Sequence, residues 1–257
     1  MLAVTRKSKI KEILQEKKSV VVSELAEMFS VTEETIRRDL KTFEDEGFLT
    51  RTYGGAFIQD GVQNEVELSV RETAYTDSKQ LIAEKCAELV HNGDSIFLDA
   101  STTAIFIAKA ICDMRITVVT NSLKVISSLA DYSNIHLITI GGLFAPNNMS
   151  FIGRGALQSL ESYYVDKTFM SCRSLSQTYG ITDSNESMSE IRRKLLTRSN
   201  RVYVVADYSK FDKTSFLNIC DFSDIHGIIT DKHLDSNWID FLNEHGVTYY
   251  ECHNNHE

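Results

Sequence analysis

The stretch TEETIRRDL, residues 32–40, carries the clearest structural signal in the first part of the chain. Its threonine and two glutamates are typical of a helix start, because a threonine hydroxyl accepts a free backbone N–H and acidic groups suit the positive helix end. Ile36, Leu40 and Phe43 follow at the spacing of one helical face, and Gly47 is a typical residue after a helix end. The stretch therefore predicts a helix with one buried stripe.

The flanking segments predict a winged helix-turn-helix domain over residues 1–58. Residues 6–17 and 24–29 have helical apolar spacing, and a tight turn at residues 30–31 separates the second helix from the third. Residues 48–58 predict two short strands around a pair of glycines. Three helices followed by a hairpin form a groove-docking arrangement.

The basic residues of the third helix allow two interpretations. On a helical projection they face away from the buried stripe, where a DNA-reading helix presents its side chains. They also form three i,i+4 pairs with acidic residues, each worth only about 0.2–0.5 kcal/mol, so such pairs are compatible with DNA contact. The pairs are Glu33–Arg37, Glu34–Arg38 and Lys41–Asp45.

The surroundings of that helix favour DNA contact. The predicted wing adds Arg51 and Tyr53 beside Gly54 and Gly55, where a backbone could approach phosphate closely. Residues 1–57 contain ten basic and ten acidic residues, so the net charge of −9 lies entirely in the rest of the chain. Further basic charge is expected from the first helix, at Arg6, Lys7, Lys9 and Lys11.

Residues 59–76 are polar and lack clear periodicity, which predicts a linker and hinge. From residue 77 to 257, apolar strand patterns alternate with helical patterns, which predicts a parallel sheet covered by helices on both faces. A helix near residues 187–199 is expected to begin with a capping box at Ser187 and Glu190.

Polar residues follow several of the predicted strands, and ligands of parallel sheets gather at the carboxyl ends of strands. The segment DASTT, residues 99–103, brings hydroxyls and free N–H groups to a positive helix end, which suits an anion. Simple helix capping is the alternative for this segment alone. Other strand ends add residues 120–122, residues 141–142 and Lys210 as a possible cation.

These motifs resemble those of the DeoR family of bacterial transcriptional regulators. The N-terminal signature consists of Arg6, Ile10 and Leu14, the residues 32–40 and the wing GFLTRTYGGA at 47–56. The segments DASTT, VVTNS (118–122), IGG (140–142), ADYSKF (206–211) and IITD (228–231) resemble the family's sensor domain. That domain is similar in fold to ribose-5-phosphate isomerase and CoA-transferase-like proteins and typically senses phosphorylated sugars or polyols.

The resemblance implies an α/β chain with two sites and no cofactor. The second helix of the motif would enter the major groove, while Asp39 is more simply a brace within the fold. In the sensor domain Asp99 would take a sugar hydroxyl, Ser101, Thr102 and Thr103 the phosphate, and Asn121, Gly142 and Lys210 would complete the site. The predicted DNA contacts are Thr32, Glu33, Thr35, Arg37, Arg38, Lys41, Arg51, Tyr53 and Gly54.

The resulting hypothesis is a cytoplasmic regulator of a carbohydrate operon, acting as a repressor or alternatively an activator. It would bind double-stranded operator DNA as a homo-oligomer, a dimer or tetramer, under the control of a phosphorylated sugar or polyol. A sugar-phosphate isomerase with a residual DNA-binding domain is the alternative, since Asp99, Asp183, Glu186 and Lys210 could supply acid and base. The sequence has no Walker loop, G-x-S-x-G or H-E-x-x-H motif, and its five scattered cysteines indicate reduced thiols. The tail CHNNHE is interpreted as a frayed end and not a metal site.

Overall fold

The computed structural model describes residues 2–58 and 66–252. It separates into two compact units, Met1–Thr76 and Asp77–Glu257. The second unit begins at the residue where the sequence analysis places the second domain. Each unit has its own apolar core and is considered by itself.

The first unit is a winged helix-turn-helix, as predicted. The strands form one sheet in the order β1-β3-β2. Ile10, Leu14, Leu25, Ile36 and Leu40 are all within 2% of complete burial and pack into a single cluster. The elements are α1 (Ala3–Lys17), β1 (Ser19–Val21), α2 (Val22–Phe29), α3 (Glu33–Asp45), β2 (Thr50–Arg51), β3 (Gly55–Phe57) and α4 (Leu68–Thr73).

The ends of α3 are those predicted. The Thr32 hydroxyl accepts a hydrogen bond from the Thr35 backbone N–H, which is worth about 1 kcal/mol at a helix start. Gly47 has φ +71°, the left-handed conformation that ends helices. Ser30 has φ +52° and turns the chain between α2 and α3. The tight turn thus fixes the direction from which α3 begins.

The linker predicted over residues 59–76 is wrong for its second half. Residues 66–76 are ordered, with α4 in the middle, and Val66, Val70 and Ala74 pack against Phe57 in one apolar cluster. Of these three residues only Val70 lies within α4, while Val66 and Ala74 flank the helix, so the polar segment carries no long helical stripe that could be recognised from the sequence. Residues 59–65 lie outside the described part of the chain.

The second unit is built on a seven-stranded parallel sheet in the order β15-β14-β12-β9-β4-β5-β6. Ile96 and Leu98 pack on one face of the sheet and Phe97 packs on the other, so helices cover both faces as predicted. Its elements are α5 (Thr76–Glu88), β4 (Ser95–Leu98), α6 (Thr102–Ala110), β5 (Ile116–Thr120), α7 (Leu123–Leu129), β6 (Ile135–Thr139), β7 (Leu143–Ala145), β8 (Ser150–Ile152), α8 (Gly153–Glu161), β9 (Val165–Ser171), β10 (Ser174–Ser176), β11 (Gly180–Asp183), α9 (Glu186–Leu196), β12 (Ser199–Val205), β13 (Leu217–Cys220), β14 (Gly227–Thr230), α10 (Ser236–Glu244) and β15 (Thr248–Glu251).

Strand order creates the crevice of this unit. From β4 the chain runs outward to β5 and β6 on one side, and it then crosses to β9 on the other side of β4. The carboxyl ends of β4 and β9 therefore flank a topological switch point, where open parallel sheets bind ligands.

Three features of this unit differ from the sequence analysis. The β7–β8 hairpin and the antiparallel sheet β10-β11-β13 were not predicted, because strands of three or four residues carry little periodic signal. The capping box at Ser187 is wrong. Asn185 is the N-cap and its side chain accepts from the Met188 N–H, so α9 begins at Glu186.

Candidate functional site

The outer face of α3 presents basic side chains. Arg38 and Lys41 are exposed, and neither belongs to an ion pair within the described residues. The Thr32 and Thr35 hydroxyls lie 2.9 Å apart beside them. Of the three predicted i,i+4 pairs only Glu33–Arg37 forms, at 2.7 Å. Arg38 is therefore free to contact an external anion.

Arg37 connects the helix to the wing. Its guanidinium lies 5.7 Å from the centroid of the Tyr53 ring while it also pairs with Glu33. Tyr53 is 83% exposed at the tip of the wing. A cation over a tyrosine face is attracted by the ring quadrupole, so Arg37 holds the wing tip beside the exposed face of α3.

Arg51 is held by α3. Its Nε lies 2.7 Å from Glu44 Oε2, and its backbone N–H donates to Glu44 Oε1 at 3.2 Å. Burial acts to raise the pKa of Glu44, but the hydrogen bonds and charge of Arg51 outweigh it and lower the pKa. This pair fixes the start of the wing against the helix. The guanidinium of Arg51 is half-buried, so part of its surface remains accessible to solvent.

The two wing glycines have different roles. A Cβ on Gly55 would lie 2.1 Å from the Val20 carbonyl oxygen, so β1 and β3 can pair here only around a glycine. A Cβ on Gly54 would meet its nearest atom, the Thr73 hydroxyl, at 3.4 Å. The fold thus explains Gly55 without DNA, while Gly54 stays a predicted DNA contact.

Asp39 braces the fold, as predicted, and its partner corrects one expectation. The Arg6 Nε lies 2.6 Å from Asp39 Oδ2, and both side chains are less than 10% exposed. Arg6 is consequently not part of a basic surface. It ties α1 to α3 from inside the unit.

In the second unit Asp99 lies at the switch point and is completely buried. Its Oδ1 accepts from the Ser101 N–H at 3.1 Å, and its Oδ2 accepts from the Ser171 N–H at 3.0 Å and from Arg192 Nε at 2.9 Å. The carboxylate therefore joins the ends of β4 and β9 to α9. Its predicted contact with a sugar hydroxyl would have to use the one acceptor position that remains on Oδ1.

Arg192 is the central cation of this region and was not among the residues predicted from the sequence. It is buried and also pairs with Asp183 at the end of β11. Burial acts to lower the pKa of Arg192, but Asp183 and Asp99 outweigh it and raise the pKa. The available signal was a charged residue on the apolar stripe of α9, which includes Met188, Ile191 and Leu195.

The predicted phosphate segment forms the start of α6. Ser101 is its N-cap and accepts from the Ala104 N–H at 3.1 Å, so the capping interpretation is correct for this hydroxyl. Thr102 and Thr103 are buried, with 7% and 5% of their surface exposed. Their hydroxyls make no hydrogen bond to other described residues. These two hydroxyls and the N–H groups of the first turn are the groups of this segment that could still bind an anion.

Asn121 follows β5, next to β4 in the sheet. Its Nδ2 donates to the Phe151 carbonyl at 3.0 Å, which fixes the orientation of the amide. Its Oδ1 is buried and has no partner among the described residues. A buried acceptor without a donor costs about 1–3 kcal/mol, so a ligand hydroxyl that donates here would recover that energy.

Gly142 follows β6 and is required by packing. Its φ is +152°, and a Cβ would lie 2.6 Å from the Ile152 carbonyl oxygen and 3.0 Å from the Ala156 nitrogen. The glycine thus lets the chain pass close to the start of α8. The backbone of Gly142 itself is exposed at the same edge of the sheet.

Lys210 approaches from the other side of the switch point. It is half-buried in the short helix Tyr208–Lys210, where Asp207 is the N-cap. Burial raises the pKa of the Cys172 thiol to about 12, although the charges of Lys210 and Arg192 act to lower it. Both cations therefore lie near Cys172, directly after β9. The structure brings the predicted effector residues to one edge of the sheet, with Lys210 separated from β4 by β9.

Neither a membrane-spanning helix nor a metal cluster is present within the described residues. None of the helices described is long and apolar enough to cross a membrane. Within residues 2–58 and 66–252 there is no group of three His, Cys, Asp or Glu side chains that could hold a metal. Cys252 is buried, and the remainder of the tail CHNNHE lies outside the described residues.

A winged helix-turn-helix in one chain with a parallel α/β unit of this kind defines the class of the protein, a helix-turn-helix transcriptional regulator. Residues 6–61 match the DeoR-like helix-turn-helix domain, and residues 74–232 match the DeoR C terminal sensor domain. The chain belongs to the DeoR family.

Relatives match along almost their whole length. The uncharacterized HTH-type transcriptional regulator YulB of Bacillus subtilis is 42% identical over 235 residues, 91% of each chain. The L-fucose operon activator of Haemophilus influenzae is 33% identical, over 91% of this chain and 93% of its own. The HTH-type transcriptional repressor GlcR of Bacillus subtilis is 30% identical, over 93% and 92%. Ribose 5 phosphate isomerase A from Neisseria gonorrhoeae aligns with a TM-score of 0.39 and 18% identity over 54% of each chain.

Proposed function

We propose that this regulator represses a carbohydrate operon by binding double-stranded operator DNA through α3 and the wing. The observation that carries the proposal is the exposed, unpaired guanidinium of Arg38 on the outer face of α3. Lys41 extends the basic face by one turn, and Arg37 keeps Tyr53 of the wing beside it. The α3 residues Thr32, Glu33 and Thr35 would meet base edges or the adjoining backbone, and Arg51 and Gly54 the flanking phosphates.

The Glu33–Arg37 pair has a defined part in this proposal. An anionic side chain at the start of a groove-entering helix repels phosphate, but it can accept a hydrogen bond from cytosine N4. On DNA binding, Arg37 would leave Glu33 and contact a phosphate or guanine. Glu33 would then accept a hydrogen bond from a donor such as cytosine N4. The exposed pair contributes only about 0.2–0.5 kcal/mol, so its loss is a small cost.

The effector proposed for the second unit is a phosphorylated sugar or polyol. The phosphate would occupy the first turn of α6, at Thr102 and Thr103, with Lys210 as the cation. A ligand hydroxyl would donate to the unpartnered Oδ1 of Asn121. Ser101 and Asp99 would hold the α6 start in place, and the Gly142 backbone would border the site.

Repression is the proposed effect of the regulator on transcription, and activation is the alternative. Among the relatives, one is named a repressor and another an operon activator, so membership of the family is compatible with either effect on transcription. The regulator would act in the cytoplasm as a homo-oligomer, a dimer or tetramer, because one small reader domain needs a second one for affinity and for half-site spacing.

Turnover of the effector is not part of the proposal. Asp99 and Asp183, two of the acid–base candidates, both form ion pairs with Arg192, which occupy carboxylate oxygens that an acid or base would have to present to a substrate. Incubation with pentose and hexose phosphates should give no isomerised product. Efficient conversion of any of them would favour the isomerase alternative.

The DNA proposal is tested by selecting a duplex from a random library and comparing two arginine variants on it. Arg38→Ala should weaken binding by about tenfold or more, the expected cost of a lost charged contact. Arg201→Ala is the matched control, because Arg201 is an exposed arginine on β12 of the second unit. Equal affinities for the two variants would refute the role of Arg38.

The effector proposal is tested by thermal shift with a panel of sugar and polyol phosphates. A true effector stabilises the folded chain by mass action, by about 2.7 kcal/mol at a hundredfold excess over its dissociation constant. Lys210→Ala should abolish the shift, while Lys109→Ala, at the far end of α6, should preserve it. A panel without any stabilising compound would refute the assignment of the site.

A further inference from the structure

The longest segment of the chain without a charged residue forms an exposed corner of the second unit. No Asp, Glu, Lys or Arg occurs from Tyr132 to Gly153, although such residues make up 25% of the chain. The segment contains β6, β7 and β8. It follows that this corner is electrically neutral in a chain of net charge −9.

The corner exposes apolar side chains on strands that have an open edge. Leu143 is 70% and Phe144 is 41% exposed. Among the described residues, β7 pairs only with β8, and β6 pairs only with β5. Open edges offer unpaired N–H and C=O groups to another chain, and soluble proteins usually protect them with charged side chains. This corner has no such protection.

The corner is also rigidly built. The Phe151 N–H donates to the Asn121 carbonyl at 2.8 Å, and the Leu123 N–H donates to the Met149 carbonyl at 2.8 Å. The Phe144 and Phe151 rings pack with centroids 5.6 Å apart. The apolar residues are therefore presented by a docked hairpin, and a partner would bind without ordering a loop.

We propose that this corner, the open edge of β7 with Leu143 and Phe144 and the adjoining edge of β6, is a contact surface for a second copy of the chain. The charge distribution identifies the partner. Two copies repel each other because each has a net charge of −9, and a self-contact must bring identical surfaces together, so an uncharged surface is the one they can share. A basic or acidic partner would instead select a surface of opposite charge.

The proposed function requires an oligomer, and this proposal names a surface at which its copies meet. It rests on the proposed function, because that function is the reason for the copies to assemble. The experiment is sedimentation velocity of the full chain at several concentrations, with Leu143→Glu against Tyr164→Glu. Tyr164 is also exposed, at 64%, but lies outside the corner, so the control adds the same charge elsewhere. Leu143→Ser accompanies them as a variant without charge.

The wild type and Tyr164→Glu should form the same oligomer. Leu143→Glu should give a smaller species or raise the dissociation constant about tenfold or more, because two like charges then meet across the contact. Leu143→Ser should show a smaller effect in the same direction. In the wild type, hydrogen exchange of the β7 amides should slow as concentration rises.

Three results would overturn the surface. An oligomer of Leu143→Glu as tight as that of the wild type would refute it and leave the proposed function intact, with the copies meeting elsewhere. A wild-type chain that is monomeric with and without operator DNA would refute both this surface and the assembly in the proposed function. Exchange at the β7 amides that is independent of concentration, in an oligomeric wild type, would also refute the surface.

Discussion

Replacement of Arg192 by methionine should destabilise the second unit strongly. Methionine keeps most of the apolar stem of the side chain, but the change removes the guanidinium that pairs with both Asp99 and Asp183. Asp99 is completely buried and the Asp183 side chain is 12% exposed, so two carboxylates would remain without their counter-ion. Removing one partner of a buried ion pair typically costs about 3–5 kcal/mol.

The loss can be measured with the single tryptophan of the chain. Trp238 is buried in the second unit, so its fluorescence during urea unfolding reports on that unit alone. Arg193→Met is the matched control, because Arg193 is the next residue on α9 and is exposed. It should cost less than about 1 kcal/mol, as surface substitutions do.

A second substitution tests the reason for the loss. If uncompensated charge is the cause, Asp183→Asn added to Arg192→Met should recover part of the stability, because it removes one of the two buried carboxylates. A loss below about 1 kcal/mol for Arg192→Met would refute the reasoning, as would a double variant less stable than the single one.

Three further predictions concern other groups. The Glu44 carboxyl should titrate in NMR below the midpoint of an ordinary glutamate, and Arg51→Met should move the midpoint upward. Because the pKa of Glu44 is lowered in the folded protein, its pair with Arg51 stabilises the fold at pH values above the ordinary pKa of glutamate. This stabilisation is lost as the pH falls through the lowered pKa. Gly55→Ala should destabilise the first unit by about 1–3 kcal/mol and speed its proteolysis, whereas Gly54→Ala should have little effect on proteolysis. A thiol reagent at pH 8 should modify one cysteine quickly in the native protein, Cys112, because the other four are buried, and Cys112→Ser should remove this fast phase.

The sequence predicts those parts of the fold that local patterns specify. Thr32, the apolar stripe of Ile36 and Leu40, and Gly47 define α3 without reference to distant residues. The parallel sheet likewise follows from the alternation of strands and helices. In contrast, α4 was missed because only one of its six residues, Val70, is buried, and the polar residues around it carry no helical apolar pattern.

The arrangement of the effector region could be predicted only in part. The carboxyl ends of parallel strands meet at one edge, so Thr102, Asn121 and Lys210 could be assigned to that edge from sequence order. The Arg192 pairs could not be assigned, because Asp99 is 93 residues away in the chain and only the folded sheet brings the two together. The same applies to Arg6, whose burial depends on Asp39, 33 residues further along.

In the proposed function, the contact that matters most is that of Arg38 on α3 with a phosphate or base of operator DNA. Its most direct test is the dependence of operator affinity on salt concentration for the wild type and Arg38→Ala. If Arg38 neutralises one phosphate, the slope of log affinity against log salt should become shallower by about 0.9 in the variant, and Arg201→Ala should keep the wild-type slope. Weaker binding with an unchanged slope would assign Arg38 to a base. Unchanged affinity and slope in Arg38→Ala would contradict this role of Arg38.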